Sequence, residues 1–176
     1  MIPTSFSRSA RLVLLMAGFA WPSPTTAQEG PKLLGTYGDW GAYLGDSGGR
    51  KVCFALSKPL SATTDPPNRP RGDPYLFIST RPAEGARNEP SVIMGYPHRP
   101  DTDATAEIGP DKYAMQTQND NAWLKNPAEE PRMIDAMRKG AEVVVKGVSS
   151  RGTKTTDRYS LKGLGQALDR VGQECK

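Results

Sequence analysis

The chain has 176 residues, 36% hydrophobic and 24% charged with a formal net charge of +4, a composition that suits one domain with a core and excludes a disordered or membrane-spanning polypeptide. Its 18 glycines and 16 prolines exceed ordinary usage, which argues against a helical bundle and for a loop-rich β protein. One histidine and two cysteines cannot assemble a multi-histidine or four-cysteine metal site, so most zinc enzymes are excluded and no metal is expected.

Residues 1–27 read as a secretory signal peptide. Arg8 and Arg11 precede an apolar run from Leu12 to Trp21, and Thr25-Thr26-Ala27 places small residues at a cleavage site. The run is about half the roughly 20 residues needed to span a bilayer, so no stable membrane insertion is expected once the signal is removed. Removal takes two of the 23 basic residues and none of the 19 acidic ones, lowering the net charge to +2 and withdrawing the main support for nucleic-acid binding. The product is expected to be periplasmic or secreted, as one domain over residues 28–176.

In that compartment Cys53 and Cys175 have three fates: one disulfide, two buried thiols, or a redox pair. Oxidising conditions favour the disulfide, and the missing C-x-x-C spacing weighs against the redox pair.

Along the chain, residues 28–34 read as frayed, with order starting near Thr36. Tyr37, Trp40 and Tyr43 mark a strand interrupted by Gly38 and Gly41, residues 45–50 a turn, and residues 52–56 a strand carrying Cys53. Residues 58–74 hold five prolines and almost no apolar side chains, which predicts a long surface loop, functional or mobile, whose role the sequence leaves open. Its Arg71-Gly72-Asp73 matches the integrin tripeptide but reads mainly as a solvated turn. Residues 75–80 and 91–96 form strands flanking a charged connection, residues 81–90. Further strands fall at 104–108, 113–117, 122–124, 142–149 and 153–161.

Asn126, Pro127 and Glu129 form a capping pattern before Met133, Ile134 and Met137, predicting a helix that stops at Gly140. Leu161, Leu164, Leu168, Val171 and Cys175 recur at helical spacing and turn Cys175 toward the core face. The fold class expected is all-β, a sandwich or barrel with one or two short helices.

Catalytic signals are weak. His98 lies in Pro97-His98-Arg99-Pro100, a rigid and exposed turn by its sequence, and no G-x-S-x-G elbow or second histidine accompanies it. Neither G-x-G-x-x-G nor a P-loop is present, so no nucleotide cofactor is expected. Scattered acids leave a carboxylate hydrolase as one reading. The preferred reading is non-enzymatic binding on loops, with Arg81, Glu84, Arg87 and Glu89 and the proline-rich loop as the candidate surface for a protein or envelope partner not identifiable from sequence.

Several motifs stand in a recognisable order: Gly38-Asp39-Trp40-Gly41, Cys53-Phe54-Ala55-Leu56, residues 78–84 with Asn88-Glu89, Gly95-Tyr96-Pro97, Ala122-Trp123-Leu124, and Val145-Lys146-Gly147 before Arg151-Gly152-Thr153. Together they resemble the invasion-associated locus B family over nearly the whole of residues 28–176. The resemblance implies an exported α-proteobacterial protein with an immunoglobulin-like β-sandwich, and a role in host-cell entry in some pathogens. It carries no catalytic residues. Relatives often have a cysteine where this chain has Leu44, so a second disulfide of that kind is not available here. The functional expectation is an exported binding protein of the bacterial periplasm or cell surface, with a host-directed adhesion or invasion factor as the alternative.

Overall fold

A computed structural model describes residues 30–176. The signal-peptide reading of residues 1–27 lies outside the described residues.

Eleven strands form one antiparallel sheet. They are β1 (Lys32–Tyr37), β2 (Trp40–Ser47), β3 (Arg50–Ser57), β4 (Ser61–Asp65), β5 (Tyr75–Arg81), β6 (Ala86–Ile93), β7 (Ala104–Ile108), β8 (Asp111–Gln118), β9 (Asn121–Leu124), β10 (Glu142–Val148) and β11 (Lys154–Ser160). The order across the sheet is β1-β2-β3-β5-β6-β9-β8-β7-β10-β11-β4. Two helices follow the pattern read from sequence, α1 (Glu130–Lys139) and α2 (Leu164–Glu174).

The sheet curls over itself, because period-2 alternation makes one face apolar along every central strand and that face must be buried. β5 alternates Leu76, Ile78 and Thr80 inward with Tyr75, Phe77 and Ser79 outward, and β8 buries Tyr113 and Met115. Trp40 of β2 donates its indole N–H to the Ser160 carbonyl of β11 at 2.9 Å, joining strands near opposite ends of the strand order across one continuous core. The result is the all-β, sandwich-like fold with two short helices expected from the sequence.

α1 begins where Asn126 accepts from the Ala128 amide at 3.2 Å, followed by a 3-10 turn at Pro127–Glu129, so Pro131 falls in the first helical turn, where its missing N–H costs nothing. α2 buries Leu164, Leu168 and Val171 and packs against β1, β2 and β3. Its C-cap residue Cys175 is disulfide-bonded to Cys53 of β3, with Cα atoms 5.9 Å apart.

Four local expectations need correction. Order begins at Lys32 rather than near Thr36, because β1 pairs with β2 from Lys32↔Leu44 onward. The turn over 45–50 shrinks to Gly48 and Gly49, both at positive φ (62° and 80°), as a two-residue hairpin between right-twisted strands requires. The loop over 58–74 contains β4, which pairs through its backbone with β11 from Ser61↔Arg158 to Asp65↔Lys154. The connection over 81–90 is mostly strand: only residues 82–85 link β5 to β6, and Glu89 pairs with Ser79 inside the ladder.

Candidate functional site

At one end of the sheet the proline-rich segment after β4, the segment after β6 and the β10–β11 turn enclose a cleft of about 570 Å³. Each wall is fixed by backbone chemistry. The Gly72 amide donates to the Gly95 carbonyl at 2.8 Å, and a Cβ at Gly95, where φ is 73°, would collide with the Gly72 backbone. This close approach of two chains requires glycine. On the opposite wall the Ser150 amide donates to the Pro97 carbonyl at 2.8 Å, and the Ser149 side chain accepts from the Thr153 amide at 3.1 Å, so the turn is held from both sides.

The floor is a buried ion pair. Arg71 reaches under the cleft and donates through Nη1 to Asp157 Oδ2 at 2.9 Å and through Nη2 to Asp157 Oδ1, a bidentate match of guanidinium to carboxylate. Arg71 Nη1 also donates to the Met94 carbonyl at 3.3 Å. The Asp157 side chain is 0% exposed and that of Arg71 9%. Burial pushes the Asp157 carboxyl above its ordinary pKa, and the two bonds from Arg71 oppose that push. Of the tripeptide 71–73, Gly72 and Asp73 are exposed as a solvated turn would have them, but Arg71 is consumed inside the protein.

Tyr96 stands beside this pair. Its ring lies 5.9 Å from the Arg71 guanidinium carbon, and its hydroxyl shares a 2.6 Å hydrogen bond with Thr155. Burial raises the phenol pKa, so Tyr96 remains a neutral wall group at any physiological pH. Gly147 makes room for it, since a Cβ there would sit 2.5 Å from the Tyr96 hydroxyl.

His98 is only 8% exposed, not the solvated turn residue its two flanking prolines suggest. Its amide donates to the Asn119 carbonyl at 2.8 Å and its ring packs 5.0 Å from that of Tyr96, which draws the side chain inward. Burial lowers its pKa, and Nε2 has no hydrogen-bond partner among the described residues. Although Ser149 is its bridge partner, no side-chain bond connects them, so no nucleophile relay is assembled.

Among the described residues no three His, Cys, Asp or Glu side chains gather as a metal-binding group. No residue lining the cleft is acidic, and its unpaired charges are the exposed guanidiniums of Arg69 and Arg151. A fixed, cationic concavity with several hydroxyl-bearing side chains can bind, and among the described residues no relay to a nucleophile stands in it.

The four residues singled out from sequence lie elsewhere. Arg81 donates to Glu84 at 2.6 Å and also to Glu89, and Arg50 adds a 3.4 Å pair to Glu84. Arg87 is not part of this cluster. It lines a separate recess of about 350 Å³ beside Arg138, Asp169 and Lys176. β5 (Tyr75–Arg81) runs between the cleft and the cluster and is itself about 20 Å long at the strand rise of roughly 3.4 Å per residue. They are not one surface. Sequence reasoning missed Asp157, Tyr96, Thr155 and Arg151; the one usable signal was an acid at an inward strand position between Thr155 and Tyr159, which demands a buried cation.

The family model described as Invasion associated locus B (IalB) protein matches residues 103–172, which include the β10–β11 turn and Asp157. The crystal structure of invasion associated protein B from Bartonella henselae is similar in fold, with a TM-score of 0.55 at 15% identity, covering 80% of this chain and 95% of that one. No curated protein matches the sequence. In sequence over residues 103–172, and in fold over four-fifths of its length, the chain is similar to the invasion associated locus B family.

Proposed function

We propose that this chain is an exported, non-enzymatic binding protein of the bacterial periplasm or cell surface, and that it binds through the cleft between the proline-rich segment and the β10–β11 turn. The observation that carries this reading is the cleft itself: about 570 Å³, within the size of small-molecule sites, built on backbone-fixed loops over a satisfied ion pair. Pre-formed walls lower the ordering cost of binding. Export is supported by the leader-like residues 1–27 and by the Cys53–Cys175 disulfide, which persists in oxidising compartments. No helix of the described residues is long and apolar enough to cross a membrane.

Binding is preferred over carboxylate hydrolysis because that chemistry needs two acids about 5 to 10 Å apart, whereas no residue lining the cleft is acidic and Asp157, beneath its floor, is occupied by Arg71. Integrin-type adhesion through residues 71–73 is disfavoured by the same pair.

Titrating isotopically labelled protein with the low-molecular-weight fraction of a bacterial envelope extract tests the reading. Amide resonances of Arg69, Arg71, Gly95 and residues 149–153 are expected to shift together. Absence of any shift there, or shifts confined to the Arg81–Glu89 region, would overturn it.

A further inference from the structure

We infer that the cleft takes an anionic sugar, a hydroxyl-rich small molecule bearing a carboxylate or phosphate; this rests on the binding reading above and goes further by naming the ligand class. The first argument is charge. Three arginines line the cleft, and only Arg71 is neutralised within the protein. Arg69 and Arg151 are exposed and form no ion pair among the described residues. A third guanidinium, that of Arg99, lies beside the same turn, with Nη2 2.9 Å from where a Cβ on Gly152 would stand. No carboxylate lines the space to answer them. Concave walls of one sign focus field on the opening, and guanidinium forks match carboxylate and phosphate oxygens.

The second argument is size and lining. A space of about 570 Å³ suits a small organic ligand rather than a bare ion. Away from the arginines its surface is hydroxyl groups, among them those of Thr64, Ser150 and Thr153, with the flat faces of proline rings. Such a lining sets donors and acceptors at close intervals between small apolar faces, which fits the hydroxyls and C–H faces of a sugar better than an aliphatic or aromatic acid.

The third argument is rigidity without self-neutralisation. The Arg71–Asp157 pair holds the floor while spending no charge on the opening, so the potential there comes from Arg69 and Arg151, with Arg99 beside them. Both stand on segments already tied down, Arg69 through its amide to Thr64 Oγ1 at 3.1 Å and Arg151 in the turn closed by Gly152 donating to Ser149.

The test is calorimetric titration of the purified protein with glucuronate, glucose 6-phosphate, glucose and inorganic phosphate, repeated on Arg69→Gln, Arg151→Gln, the double variant and Lys146→Gln, a charge removal outside the cleft. Either charged sugar, or both, is expected to bind at least about tenfold more tightly than glucose, with the uncharged sugar and bare phosphate each weaker; comparing the two acids tells which group is read. Each arginine replacement should weaken that binding about tenfold, as loss of one charge-assisted contact does, while Lys146→Gln leaves it unchanged. Thermal melting of the variants, expected to match the parent, separates lost recognition from lost fold. Glucose binding as tightly as glucuronate and glucose 6-phosphate, or binding unaltered in the double variant, would overturn the anionic-sugar inference while leaving the cleft as a binding site. Failure of all four probes also overturns it, and the envelope-extract titration then decides independently whether the cleft binds anything.

Discussion

Arg71 and Arg81 lie close to the two ends of β5 and each holds a carboxylate, yet the two pairs belong to different physical regimes. Arg81 shares Glu84 and Glu89 at a surface where these side chains are 27% to 38% exposed, so water already solvates every partner and the net worth of the contacts is small. Arg71 and Asp157 are 9% and 0% exposed, and either one alone would be an uncompensated buried charge. The surroundings differ as well. Near Arg81 the sheet is secured covalently, since Cys53 pairs with Thr80 across β3 and β5 and is bonded to Cys175. At the cleft end no covalent tie exists, and the ion pair holds the proline-rich segment to β11. The lesson is that an arginine's chemistry does not decide its role; burial does, and it turns one guanidinium into structure and leaves others free for recognition.

The most severe way to break the comparison is to remove the covalent anchor. Cys53→Ser or Cys175→Ser opens a link spanning 122 residues and should destabilise the domain by about 5 kcal/mol in the chain-entropy picture, read as a lower denaturation midpoint. The two single variants and the double should lose nearly the same amount, because each removes one link. Next comes the ionic anchor: Arg71→Ala or Asp157→Ala should cost about 3 to 5 kcal/mol, measured by urea unfolding, while a paired Arg71→Met with Asp157→Leu recovers much of it. If either single variant melts like the parent, the pair is not an anchor and the two ends of β5 are alike after all.

A smaller effect follows from His98 behind the cleft. Burial lowers its folded pKa below the ordinary imidazole value, so the unfolded chain takes up a proton that the native ring refuses. Stability is therefore complete above about pH 7 and declines as pH falls through the ordinary imidazole range near 6.5. His98→Gln should flatten that part of the profile, and an unchanged slope would show that the ring titrates normally. The smallest effect belongs to the exposed cluster: Arg81→Ala with Arg87→Ala should change stability by under about 1 kcal/mol and leave ligand capture by the cleft intact. Loss of capture would shift recognition to that end of the sheet.

Local order was readable where side chains repeat a pattern. β7 is found at Ala104–Ile108 as its alternation predicts, and the apolar stripe from Leu161 to Cys175 is α2 with its flank. β4 was hidden because Ser61–Asp65 is exposed and polar, and it is a strand only by backbone pairing to β11, which leaves no side-chain period. The cleft was hidden for a related reason. Arg71 and Asp157 are 86 positions apart, and nothing in either neighbourhood indicates the other until the sheet curls. His98 misled because its flanking prolines describe the backbone, whereas burial is set by Asn119, from another segment, and by the Tyr96 ring two residues back.

The placement of β4 has one more consequence. In the chain it stands between β3 and β5, which are neighbours, yet in the sheet it is the last strand, paired on one side only. Edge strands open at lower free energy than interior ones, so β4 amides should exchange with solvent early, independently of the core. Arg69 lies four residues beyond β4, and Arg151 lies in the turn that leads into β11, the strand β4 pairs with. A ligand gripped by both would fasten the edge strand to the hairpin, and hydrogen exchange over residues 61–65 would slow in proportion to occupancy. The fraying edge would thus report on the cleft without any change of shape.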